Sequence, residues 1–193
     1  VAPRVASDGD RVAVRDGEVV GNPESGQSLF DFPVSDVARQ AAPFVKRAAE
    51  NARERGDELD VDDWYQLACE LEGTDVDQAI AAYERVLELD PKHADAHVNL
   101  GRLHHAQKAP AAAEKHYRAA LAADPHHATA AFNLGVALED LGRLRDAIGA
   151  YERALALDPG NTDAHYNLAG IYERRGDKAT ALRHLKACRA LKA

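Results

Sequence analysis

The sequence predicts an all-α protein of about four stacked helix pairs, preceded by an N-terminal helix and a short β-hairpin extension. Three observations carry this. Over its last two thirds the chain is self-similar at a constant shift that carries Asn99 onto Asn133 and Asn133 onto Asn167, apolar residues there recur at three- and four-residue steps, and positions 1–34 lack that period. The whole chain has 193 residues, a formal charge of -8, 46% hydrophobic and 6% aromatic residues, two Cys and no Met. Two cysteines cannot build a disulfide framework. No run approaches the roughly 18 consecutive apolar residues of a membrane span. A reducing, cytoplasmic setting with no membrane is therefore expected, and the acidic balance opposes phosphate-backbone binding by the chain itself. The missing initiator Met suggests a fragment or mature form with further residues upstream.

Residues 1–34 are read as a hairpin and linker. Arg11-Val12-Ala13-Val14-Arg15 and Glu18-Val19-Val20 flank Asp16-Gly17, a dipeptide suited to a type I′ turn. A lone hairpin is marginal in water, so it is expected to lean on other structure. The linker carries an apolar hook, Leu29, Phe30 and Phe32. From Ser35, an N-cap candidate, Val37, Ala41, Phe44, Ala48 and Ala52 recur at helical steps until Gly56, with Pro43 as a kink or first turn. Residues 35–56 are the candidate N-terminal capping helix.

The array occupies residues 57–193. Ala94-Asp95-Ala96-His97-Val98-Asn99-Leu100-Gly101 aligns at that shift with Ala128-Thr129-Ala130-Ala131-Phe132-Asn133-Leu134-Gly135, and again with Thr162-Asp163-Ala164-His165-Tyr166-Asn167-Leu168-Ala169. Further columns are Ala79, Ala113, Ala147, Ala181; Tyr83, Tyr117, Tyr151, Leu185; and Leu87, Leu121, Leu155, Arg189. Asp90-Pro91, Asp124-Pro125 and Asp158-Pro159 close three units. Units fall at 61–93, 94–127, 128–161 and 162–193. In the first, Trp64, Leu67 and Ala68 match only with a turn at Gly73-Thr74 one residue shorter. Gly101, Gly135, Ala113 and Ala147 are expected where helices approach closely, with leucines and tyrosines filling the volume between. Arg189, and Lys178 in place of Leu144, make the last helix a partial cap.

A helix pair of about 34 residues, with small residues at crossings and Pro at its end, resembles the tetratricopeptide repeat. That resemblance implies a right-handed superhelix whose first helix in each unit lines a concave groove. The lining residues would be Asp95, Val98, Asn99, Arg102, His105 and Ala106; Thr129, Phe132, Asn133, Val136, Glu139 and Asp140; and Asp163, Tyr166, Asn167, Gly170, Glu173 and Arg174, with Asp62, Tyr65, Gln66 and Cys69 from the first unit. Asn99, Asn133 and Asn167 form a ladder of carboxamides, each offering donor and acceptor to an extended peptide backbone. This is similar to the asparagine ladder of sugar-transferase superhelices; solvating the groove or bonding within the repeat is the competing role. Apolar contacts would come from Val98, Phe132, Tyr166 and Tyr65. Groove positions that hold Lys and Arg in receptors of chaperone tails carry Val98, Phe132 and Asn here, leaving Arg102 and Arg174 isolated, so that partner class is disfavoured.

Charge is localised: residues 60–90 hold ten acids and one base, Arg85, leaving about +1 elsewhere. This run is a solvated face, or an attractor for a basic peptide or for the basic helix with Arg39, Lys46, Arg47, Arg53 and Arg55. Nine histidines show no zinc spacing with Cys, so no metal or cofactor is expected. Carboxylates such as Asp62 and Asp63 sit at helix starts, where capping accounts for them. No phosphate loop or nucleophile motif is present, and no enzyme activity is expected.

Two functions follow. The first is a scaffold or adaptor binding a peptide in the groove, with identity of the partner open. The second rests on residues 10–32, which look like the stretch after a MerR-like helix-turn-helix in bacterial regulators fused to such repeats. On that reading nucleic acid would be bound only by upstream residues, and the array would serve as sensor, partner-binding or dimerising part. Self-association through the hairpin or the outer helices is a third alternative.

Overall fold

The computed structural model describes the backbone of residues 4–8, 11–15, 30–33 and 59–191, and the side chains of 59–191. Three strands, β1 (Arg4–Asp8), β2 (Arg11–Arg15) and β3 (Phe30–Pro33), form an antiparallel sheet in the order β1-β2-β3. Eight helices are described: α1 (Val61–Leu71), α2 (Val76–Leu89), α3 (Ala94–Ala106), α4 (Pro110–Ala123), α5 (Ala128–Asp140), α6 (Leu144–Leu157), α7 (Thr162–Arg174) and α8 (Lys178–Leu191).

The β extension is present with a different pairing from the one expected. Val5 pairs with Val14 and Ser7 with Val12 on one edge of β2, while Val12 pairs with Phe32 and Val14 with Phe30 on the other. Both edges of β2 are thus occupied by β1 and β3, and the expected partner Glu18-Val19-Val20 lies outside the described residues. In register, Val12 and Val14 of β2 stand opposite Phe32 and Phe30 of β3, a pairing between segments distant in sequence that a short-range turn signal does not encode. Residues 16–29 and the candidate capping helix at 35–56 lie outside the described residues.

The chain divides into two units, 1–79 and 80–193. In the first, α1 begins with a reciprocal capping box: Asp63 N–H donates to Asp60 Oδ1 (2.9 Å) and Asp60 N–H to Asp63 Oδ2 (3.2 Å). Trp64, Leu67, Ala68 and Leu71 are buried. They run one position out of step with the later repeats, answering to His97, Leu100, Gly101 and His104, which is the offset read from the sequence.

In the second unit the pairs α3/α4, α5/α6 and α7/α8 stack in succession, the expected repeat superhelix. Its punctuation recurs once per repeat. Asp90, Asp124 and Asp158 each accept from the amide two residues on, at 3.0, 2.9 and 3.0 Å, bending the chain after Pro-terminated helices. The N-cap column is His93, His127 and Asn161, whose side chains accept from Ala96, Ala130 and Ala164 N–H at 3.2, 3.2 and 2.9 Å. Between paired helices one residue takes positive φ: Lys108 (62°), Gly142 (73°) and Gly176 (79°).

The core is a ladder of tyrosines seated on small residues. Tyr83, Tyr117 and Tyr151 are buried. A Cβ added to Gly101 would lie 2.5 Å from the Tyr117 ring, and one added to Gly135 2.5 Å from Tyr151. These glycines are close-approach sites. Where Ala169 follows in that column, Leu185 replaces the tyrosine, so the small and large members change together.

Candidate functional site

The groove side of the second unit is built by α3, α5 and α7, and the structure sorts the expected groove residues by what they touch. Val98 is 6% exposed and belongs to the core, so it offers no surface to a ligand, a correction to the expected role. Val98 lies in the same buried cluster as Tyr117, Leu121 and Leu134. Phe132 is half-buried with its ring 5.8 Å from that of Tyr151, and Val136 is half-buried against the same core. Tyr166 stands out at 67% exposure.

The carboxamide ladder is uneven. Asn99 Nδ2 donates to the Tyr83 hydroxyl at 2.9 Å, and Asn167 Nδ2 donates to the Tyr151 hydroxyl at 3.1 Å. Both bonds reach back from one repeat to the preceding one, so two of the three carboxamides are engaged by the protein itself, through inter-repeat bonds rather than the within-repeat bonding set against peptide binding. Asn133 makes no such bond to Tyr117 among the described residues, and its carboxamide keeps its full donor and acceptor capacity.

The tyrosine hydroxyls sit at the floor of this wall. Burial raises the Tyr117 phenol pKa to about 12, partly offset by the Arg102 charge. Burial also raises that of Tyr151, reinforced by Glu139, whose Oε2 accepts from its hydroxyl at 3.1 Å. Both phenols are neutral donors near neutral pH.

The outer groove positions act as inter-repeat ties. Glu139 is ion-paired with Arg174, and Asp140 lies 2.6 Å from His105 Nε2. Both pairs join consecutive groove helices. Likewise His127 Nε2 reaches Asp95 at 3.0 Å; since its Nδ1 accepts from Ala130, the proton lies on Nε2 and donates to the carboxylate. Arg174 is thus not an isolated groove cation. Arg102 is exposed. Of these ties, the Glu139–Arg174 pair sets opposite full charges against each other, and the histidine contacts to Asp95 and Asp140 are hydrogen bonds to carboxylates.

Tyr65 is half-buried on α1, and Gln66 on the same helix donates from Nε2 to Glu70 Oε1 at 3.1 Å. Sequence reasoning missed the histidine N-caps and the Asn-to-Tyr bonds. The column 93, 127, 161, three side-chain acceptors ahead of helices, was a usable signal for the first. Cys188 is half-buried with Sγ 3.5 Å from the Thr162 carbonyl, while Cys69 is exposed. Among the described residues no helix is long and apolar enough to cross a membrane.

Comparison with known proteins agrees with this geometry. The tetratricopeptide repeat profile matches residues 70–128, 110–162 and 132–191. Comparison with curated proteins finds no match. Among solved structures, a crystal structure of MamA is 22% identical, with 83% of this chain and 95% of that chain covered and a TM-score of 0.71; this likeness shows the fold. MamA from Desulfovibrio magneticus RS-1, residue 41 to the end, is 25% identical over 78% of this chain and 94% of that one, with a TM-score of 0.64. MamA of AMB-1 is 27% identical over 82% and 96%, also at 0.64. Stacked repeats of this architecture are protein-interaction scaffolds, and the chain belongs to the tetratricopeptide repeat family.

Proposed function

We propose that this scaffold holds an extended peptide across α5 and α7, with Asn133 reading the peptide backbone and Tyr166 providing the apolar platform. The observation that carries the reading is the contrast within one column. Asn99 and Asn167 each spend a donor on a tyrosine hydroxyl, whereas Asn133 spends none, and the most exposed large apolar side chain among the described residues, Tyr166, lies one repeat further on at position five. The Phe132 edge and Val136 flank Asn133 on the same helix. The ties of Glu139 with Arg174 and Asp140 with His105 favour a partner recognised through its main chain and apolar residues rather than through its charge.

Magnitudes set what to expect. One net hydrogen bond contributes about 1 kcal/mol, so backbone reading alone gives weak binding. The aromatic platform has to supply most of the affinity. A displayed peptide library selected on the wild-type chain supplies the ligand. Binding of the selected peptide should weaken about fivefold in Asn133→Ala and more strongly in Tyr166→Ala, with helicity unchanged. Undiminished affinity in both variants would move recognition to another face. This reading casts the chain as a non-catalytic adaptor that works inside the cell.

A further inference from the structure

Two histidine pairs lie away from the carboxamide wall and recur two repeats apart. His97 on α3 and His116 on α4 bring their Nδ1 atoms within 3.2 Å; His165 on α7 and His184 on α8 do so at 3.0 Å. The second pair occupies the same two columns of the repeat as the first. Ring centroids are 5.5 and 5.3 Å apart, with planes inclined by 41° and 45°. All four rings are half-buried, so each pair has protein on one side and water within reach on the other. In the intervening repeat the same positions are Ala131 and Ala150, both buried.

The protons can be placed. His97 Nε2 lies 3.2 Å from the Pro91 carbonyl, which only accepts, so Nε2 carries the proton and Nδ1 presents a lone pair. In the resting pair His116 donates its Nδ1 proton to that lone pair. A second ring backs each pair: His104 stacks on His116 at 5.3 Å and 20°, and Tyr172 stacks on His184 at 5.9 Å and 7°. Positions 104 and 172 again share a column, so the whole arrangement is duplicated.

Moving the His116 proton from Nδ1 to Nε2 through solvent is a tautomer shift with no net loss of a proton. It leaves two Nδ1 lone pairs where one shared proton lay, and a cation can take its place. Imidazole binds zinc at about 2.0–2.1 Å, and two such bonds meeting at between a right and a tetrahedral angle hold the nitrogens about 2.9 to 3.4 Å apart. The observed separations fall in that interval. The Pro91 carbonyl on the far nitrogen of His97 is the outer contact that fixes the tautomer of a ligating histidine. Of the other histidines, His93 and His127 cap helices through Nδ1 and His105 holds Asp140, while His104 stacks on His116 and His126 is exposed.

We propose that each pair is a two-nitrogen site for a late first-row divalent ion, zinc above all, clipping the two helices of the second and of the fourth repeat together. This departs from the sequence expectation, because Cys and His spacing along the chain does not reveal ligands that meet only across facing helices. Among the described residues no group of three or more His, Cys, Asp or Glu assembles, so water completes the coordination and the ion is exchangeable.

Zinc chloride titrated calorimetrically into the metal-free chain near neutral pH should show two ions per chain and raise the unfolding temperature. His116→Ala should leave one, and His116→Ala with His184→Ala should leave none and abolish the thermal shift. Alanine is the residue that the third repeat already buries at this position, Ala150, so these variants keep the frame; their helicity without zinc serves as the control. Absence of saturable binding by the wild-type chain at tenfold excess zinc overturns the proposal. So does unchanged stoichiometry in the double variant, which would assign the ion to other histidines. Neither outcome bears on the groove, since Asn133 and Tyr166 are untouched.

Discussion

The third and fourth repeats have helices of identical length, 13 and 14 residues, yet the same column behaves differently in each. Tyr151 is fully buried under the following repeat, while Leu185, its counterpart, is 45% exposed, and Leu182 and Leu191 beside it are 53% and 46% exposed. The polar substitutions Lys178 and Arg189 therefore cap the last helix only in part. A repeat residue stabilises in proportion to what the next repeat lays over it. Sequence column alone does not set its contribution.

Breaking this comparison at its strongest point gives the largest effect. Tyr151→Ala removes a buried ring together with its bonds to Glu139 and Asn167, and should cost about 3–5 kcal/mol in urea unfolding. Leu185→Ala, already half in water, should cost about 1 kcal/mol or less. Equal losses would mean that the exposed end is covered in solution.

Next comes the seat of the ring. Gly135→Ala places a Cβ 2.5 Å from Tyr151 and should destabilise by about 2 kcal/mol, even though alanine favours a helix by about 1 kcal/mol. Adding Tyr151→Leu recreates the pairing of Ala169 with Leu185, and a double-mutant cycle should show the two changes costing less together than their sum.

A smaller effect separates the second repeat from the third through pH. Burial first, then the charges of His104, His97 and Lys115, lowers the His116 pKa from 6.5 to about 4. Between those values the unfolded chain takes up a proton that the folded chain refuses. The stability present above pH 6.5 is therefore lost as pH falls toward 4. Discounted for the partial exposure of the ring, the loss is about 1 kcal/mol. His116→Ala, measured in chelator beside the wild-type chain, should flatten that part of the pH profile. The smallest effect is at the turns: Lys108 holds the positive φ that Gly142 and Gly176 hold in later repeats, so Lys108→Gly should stabilise by about 0.5–1 kcal/mol.

The repeat frame was legible because its signals are local or periodic. Gly101 with Tyr117, the Asp-Pro closures and the shifted register of Trp64, Leu67 and Ala68 follow from spacing alone. The strand partners were only partly legible: Arg4–Asp8 meets β2 across a two-residue step in sequence, as local as the Asp16-Gly17 signal, so turn chemistry did not single it out, while Phe30–Pro33 is a distant partner. In the groove, spacing put Asn99, Asn133 and Asn167 in one column but could not tell which of them a tyrosine hydroxyl would claim. Val98 was misplaced for the same reason, because helix phase gives a direction and the neighbouring helices decide depth. The pairing of His97 with His116 was hidden because Ala131 and Ala150 interrupt both columns in the third repeat, although comparing each repeat with the next but one would have shown its duplicate at His165 and His184.

The groove assignment is tested most directly by the side-chain amide resonances of the three asparagines, followed by nitrogen-edited NMR while a selected peptide is added. The Asn133 carboxamide should shift most, the Asn167 signal less, and Asn99 least. Shifts confined to α4 and α6, with the Asn133 carboxamide unmoved at saturation, would contradict recognition across α5 and α7.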